Sequence, residues 1–163
     1  MARARPTSVF IDPSRIDSNS RMTAIRLALF ASRSMELWRR GGDLDGDGAL
    51  IMVAVVAITF ERLIRTELSG ELRALGRSVP TELHATCNVS SIAAATGLNR
   101  ETARRRVKAL IGKGLLVRSP KGVIALPPDL HGRPEMHALV RKQLEAVTRF
   151  VNDAIRDGVL VAA

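Results

Sequence analysis

Ser91-Ile-Ala-Ala-Ala-Thr-Gly-Leu-Asn-Arg-Glu-Thr-Ala-Arg-Arg-Arg-Val-Lys-Ala-Leu-Ile-Gly-Lys-Gly-Leu-Leu116 is the most informative stretch of this 163-residue chain. A short helix is expected from Ser90 to Thr96, a turn at Gly97-Leu98, and a longer helix from Asn99 to about Gly112. Asn99 is a natural cap for the second helix, and Glu101 falls beside the positive end of its dipole. Ala103, Val107 and Leu110 recur at spacings of four and three, so they face inward with Ile92 and Leu98. At about 100° per residue, Glu101, Arg105 and Lys108 then point outward, with Thr102, Arg104 and Arg106 on the flanks. Two helices joined by so short a turn form a helix-turn-helix, whose second member is narrow enough for the DNA major groove.

The residues that follow extend the pattern. Leu115 to Arg118 and Val123 to Leu126 flank Ser119-Pro-Lys-Gly122, with Pro at the second turn position and Gly at the fourth, which reads as a hairpin. Arg118 and Lys121 place positive charge on it, within reach of backbone phosphate. Helix, turn, helix and hairpin in this order resemble the winged helix-turn-helix of bacterial transcription regulators. Locally, Thr96-Gly-Leu-Asn-Arg-Glu-Thr-Ala-Arg-Arg-Arg-Val107 resembles the DNA-binding domain of the cyclic-AMP receptor protein and FNR family. The resemblance implies base reading by Arg100, Glu101 and Arg105. Arginine can fork to guanine and glutamate can accept from cytosine, so the implied chemistry is sound. Asn99, Thr102, Arg104, Arg106, Lys108, Arg118 and Lys121 are expected on the DNA backbone. The likeness covers about 40 of the 163 residues. The amino-terminal half lacks the strand-rich pattern of a cyclic-nucleotide barrel, so that family's effector does not transfer.

Charge supports the same reading. The chain carries 25 Lys and Arg against 16 Asp and Glu, a net +9. Residues 79–127 hold 8 basic and 2 acidic groups, so +6 of the +9 lies in 49 residues. Concentrated positive charge is the footprint of a polyanion-binding surface, because each neutralised phosphate releases counterions. No aromatic residue occurs between positions 61 and 149. Single-strand and RNA readers stack bases on aromatic rings, so duplex DNA is favoured.

Outside this region, residues 1–20 show no sustained period and are expected to form a mobile arm. Arg21 to Arg40 has helical spacing, with Gly41-Gly42 as a left-handed stop. Ala49 to about Leu75 reads as a longer helix whose first half is apolar on nearly every side and must be enclosed. Glu61, Arg62, Arg65, Glu67, Glu71 and Arg73 mark solvated faces further along it. A short strand is expected around Leu83 to Cys87. A last helix from Pro134 to about Arg156 carries Met136, Val140, Leu144, Val147, Val151 and Ala154 near heptad spacing.

Other functional classes find little support. One Cys allows no internal disulfide, and three scattered His give no zinc spacing. Asp43, Asp45 and Asp47 with Gly48 resemble the start of a calcium loop, but the twelfth position is Ala54 where a bidentate Glu is needed. An Asp/Gly turn with Asp45 or Asp47 capping the next helix is the expected reading. There are no paired carboxylates, no nucleophile with a base and no phosphate loop, so neither an enzyme nor a cofactor is expected. The longest apolar run, 12 residues from Ala49 to Phe60, is shorter than the roughly 20 a membrane span needs. With no signal peptide evident, a cytoplasmic, nucleoid-associated chain is expected.

The expected architecture is therefore mainly α with a small β-hairpin wing, a winged helix-turn-helix flanked by long N- and C-terminal dimerisation helices. Its parts are an arm at 1–20, a helix and Asp/Gly turn at 21–48, the DNA-binding domain at 49–127 and the dimerisation helix at 128–163. The expected function is transcriptional regulation by a homodimer that reads double-stranded DNA. No small-molecule effector is identified, because no convergent polar set points to one. The alternatives are a winged-helix protein-interaction module and a replication or architectural DNA-binding protein.

Overall fold

The computed structural model describes residues 8–64, 73–74, 77, 79–80 and 83–162. Within them the chain is mainly helical, with five α-helices and two small antiparallel sheets. It divides into two compact units, one drawn from residues 1–34 and 141–163 and the other from 35–140. Helices α1 (Ile16–Gly41) and α5 (Pro134–Arg156) each contribute to both.

The unit at 35–140 holds the end of α1, α2 (Gly46–Ile64), α3 (Val89–Thr96), α4 (Arg100–Gly112), a hairpin of β2 (Val117–Arg118) with β3 (Ile124–Ala125), and the start of α5. The apolar first half of α2 is enclosed, with Ala49, Ile51, Met52 and Val55 buried among Ile92, Ala103, Val107, Leu110, Leu116 and Ile124. Three of these helix ends are closed by specific hydrogen bonds. Asn88 Oδ1 accepts from the N–H groups of Ser90 and Ser91, and Ser91 Oγ accepts from Asn88 N–H, a reciprocal box at the start of α3. Asp45 Oδ1 accepts from Gly48 N–H at 2.8 Å at the start of α2. At the end of α4, Leu115 N–H donates to Leu110 O and Gly114 N–H to Ile111 O, a Schellman closure with Gly114 at φ 67°.

The end of α1 corrects one expectation. Gly41 and Gly42 do not supply the left-handed residue; Asp43 does, at φ 47°. Leu44 N–H donates to Arg39 O, so the left-handed position falls one residue after the glycine pair. The expected strand at Leu83–Cys87 is also not formed, since residues 85–88 are irregular. Their backbone is still used: Ala85 N–H donates to Thr59 O, and Cys87 O accepts from Ile124 N–H on β3. A two-residue β3 is too short to hold a third strand in register beyond that bond. Of the expected continuation of α2 to Leu75, residues 65–72 and 75, with Arg65, Glu67 and Glu71, lie outside the described residues, while residues 73–74 are described and are not α-helical.

In the other unit, residues 8–20 are not an irregular arm. They form β1 (Val9–Ile11), a 3₁₀ turn at Pro13–Arg15 capped by Asp12, and the first turn of α1; the expected arm at 1–7 lies outside the described residues. β1 pairs antiparallel with β4 (Leu160–Ala162), Phe10 opposite Val161. Phe30 stacks on Phe150, and Arg26 bonds both Asp153 and Asp157, joining α1 to α5 within this unit.

Candidate nucleic-acid interface

The surface of α4 follows from its anchor. Ala103 is 0% exposed, and Val107 and Leu110 are each 3% exposed, so one side of the helix is fixed in the core. The spacing then turns Arg100, Glu101, Arg104, Arg105 and Lys108 to solvent, and all five are exposed. Thr102 and Arg106 sit at the half-buried flanks, as expected from the helical period. Three residues, Gly97 to Asn99, separate α3 from α4. Gly97 takes φ 69°, and Asn99 Oδ1 accepts from Glu101 N–H at 2.8 Å.

The hairpin adds to this surface. Ser119 N–H donates to Val123 O and Gly122 N–H to Ser119 O, closing the expected turn with Gly122 at φ 80°. Arg118 and Lys121 are both exposed. A cleft of about 440 Å³ lies between α3, α4 and β2; besides the apolar Val89, Val107 and Ile111, it is lined by Glu101, Arg104, Arg105, Lys108 and Arg118. Four of these five are cationic. The fifth, Glu101, accepts from Arg104 Nη2 at 2.8 Å on the solvent side. That bond holds the Glu101 carboxyl below its ordinary range and Arg104 above its own, so both stay charged at neutral pH.

Arg106 is placed differently from its neighbours. Its Nη1 lies 2.5 Å from Asp45 Oδ2 and its Nη2 3.4 Å from Asp47 Oδ2, so it ties α4 to the turn before α2 and to the first turn of α2 itself. The expectation that it anchors DNA overlooked this pairing, because the partners lie 59 and 61 positions earlier in the chain. These two aspartates are among the three calcium candidates, Asp43, Asp45 and Asp47. Asp45 is occupied as a helix cap and ion-pair partner, Asp43 pairs with Lys113, and among the described residues no group of three His, Cys, Asp or Glu is placed to hold a metal.

Cys87 is fully buried, and burial pushes its thiol above the ordinary value, so it serves as a core residue. A cavity of about 160 Å³ in this unit is lined mainly by apolar groups, among them Trp38, Met52, Leu115 and Leu139. Its two charged neighbours are Arg133, which is bonded to Asp129, and Glu135. Among the described residues no helix is long and apolar enough to cross a membrane. Set against known proteins, the chain matches no family model, no curated protein and no solved structure.

Proposed function

We propose that this protein is a winged helix-turn-helix transcriptional regulator that binds double-stranded DNA as a homodimer. One observation carries the reading: the exposed side of α4 and the adjoining β2 form a cleft lined by Arg104, Arg105, Lys108 and Arg118, on a helix held rigid by its buried opposite side. A preorganised cationic rod of this width suits the major groove, and a basic hairpin beside it suits the flanking phosphates. Arg100, Glu101 and Arg105 read base edges. Asn99, Thr102, Arg104, Lys108, Arg118 and Lys121 hold the backbone, whereas Arg106 is committed to Asp45 and Asp47.

The homodimer draws support from the unit at 1–34 and 141–163. Twelve large apolar side chains are exposed among the described residues, and all but Val117 belong to that unit. A two-fold dimer would present two reading helices about 34 Å apart and prefer an inverted repeat. Chemistry is carried by binding alone, with no cofactor. Sequencing the chromosomal fragments that co-purify with the protein tests the reading: enrichment of promoter regions sharing an inverted repeat is expected. Coverage confined to one origin, spread evenly, or absent would reject promoter regulation.

A further inference from the structure

We infer that the outer edge of β1 is a docking strand for β1 of a second copy, so that the dimer is sealed by a four-stranded sheet ordered β4-β1-β1-β4 with Phe10 on its two-fold axis. The inference deepens the homodimer reading above by naming its contact.

The hydrogen-bond register fixes which groups are free. Phe10 stands opposite Val161, and two residues on, Asp12 N–H donates to Val159 O at 2.9 Å. Antiparallel bonding alternates along a strand, so residues 10 and 12 turn their N–H and C=O groups toward β4. Val9 and Ile11 therefore turn theirs to the opposite edge. Natural sheets protect such edges with charge or proline. β1 carries neither. Its three residues, Val9, Phe10 and Ile11, are 45%, 50% and 55% exposed, apolar on both faces of a two-stranded ribbon that is marginal by itself.

Symmetry selects the occupant. If Val9 of one copy bonds Ile11 of the other, and the reverse, the register closes on itself and Phe10 meets Phe10 in the closer, non-hydrogen-bonded position. Aromatic pairs are favourable there. Pairing β1 with β4 of another copy would be head-to-tail and would not close, and the β4 side chains Leu160 and Val161 are less exposed.

The strand edge does not act alone. On α1, the line that meets α5 is Asn19, Arg26, Phe30 and Ser34, whereas the apolar stripe Met22, Ile25 and Leu29 is 47–48% exposed. On α5, Leu144 is 60% exposed. Eleven of the twelve large apolar side chains exposed among the described residues belong to this unit, a concentration of uncovered apolar surface that marks an interface. A second copy of the same surface covers it without requiring any charge complement.

Proline at position 11 separates this contact from folding, because the Ile11 N–H turns away from β4 and has no partner among the described residues. By analytical ultracentrifugation the full chain is expected to be a dimer, and I11P should raise its dissociation constant at least tenfold with unchanged circular dichroism. F10C is a second, independent reporter. The non-hydrogen-bonded position brings Cα atoms to about 4.5 Å, within disulfide range, so F10C should form a covalent dimer under mild oxidation while the wild type, whose one Cys is buried, does not. A wild-type monomer at all concentrations would overturn both the contact and the homodimer. A dimer that I11P leaves intact and F10C does not cross-link, but that a Leu29→Glu or Leu144→Glu change dissociates, would overturn the strand contact alone.

Discussion

Arg106 on α4 and Asp45 in the turn before α2 form a 2.5 Å ion pair, and Asp45 at the same time caps α2 through Gly48 N–H. Three consecutive arginines thus have two fates: Arg104 and Arg105 are exposed, while Arg106 is a third exposed and spoken for. Replacing Arg106 by Ala should cost stability, about 0.5–1 kcal/mol for a partly solvated pair, and leave the salt dependence of DNA binding unchanged. Asp45→Ala should cost more, because a cap worth about 1 kcal/mol goes with it. Urea denaturation of the two variants checks the order. A salt slope reduced in Arg106→Ala would return that residue to the DNA backbone.

Arg105 and Lys121 should fail in different ways. Arg105→Ala removes a base contact and should cost about 1–3 kcal/mol on the preferred site with relaxed specificity, whereas Lys121→Ala should weaken all duplexes alike and reduce the salt slope by about 1. Fluorescence anisotropy against specific and random duplexes separates them. Equal losses on both duplexes for Arg105→Ala would reassign it to phosphate.

What the sequence made legible, and what it hid, follows from range. α4 was readable because Ala103, Val107 and Leu110 keep a clean helical period against charged neighbours, and because Asn99 is a one-residue start signal. α5 begins and ends as expected, since Pro134 and Gly158 punctuate it. The β1–β4 pair was invisible: three-residue strands carry no period, and 149 positions separate Ile11 from its partner in the ladder, Leu160. The Arg106–Asp45 bond was hidden for the same reason. On α1, Met22, Ile25 and Leu29 have the spacing of an apolar stripe, and nothing local in the chain says that the more polar line beside them makes the contact with α5.

Gly97 is required by its backbone alone. At φ 69° it is in the left-handed region, and nothing lies within 4 Å of where a Cβ would stand. Gly97→Ala should therefore cost about 1 kcal/mol from conformation without a clash. Chemical denaturation measures it. A loss of several kcal/mol would mean that the turn between α3 and α4 is packed more tightly than its surroundings show.

Acid should weaken the unit at 35–140 through Glu36. Hydrogen bonds from Arg39 and then Arg40 lower its carboxyl from 4.5 to about 2. A folded-state value below the unfolded one means that Glu36 contributes its full stabilisation above about pH 4.5 and loses it as pH falls toward 2. Glu101 and Asp129, also lowered by arginine partners, change in the same direction. Thermal melts from pH 6 to pH 2 should show a falling midpoint in the wild type and a shallower fall in Glu36→Gln, which starts lower at pH 6 because the two arginines have lost their charged acceptor. Parallel curves for the two proteins would show that the Arg39–Glu36–Arg40 cluster is too well solvated to couple protonation to folding.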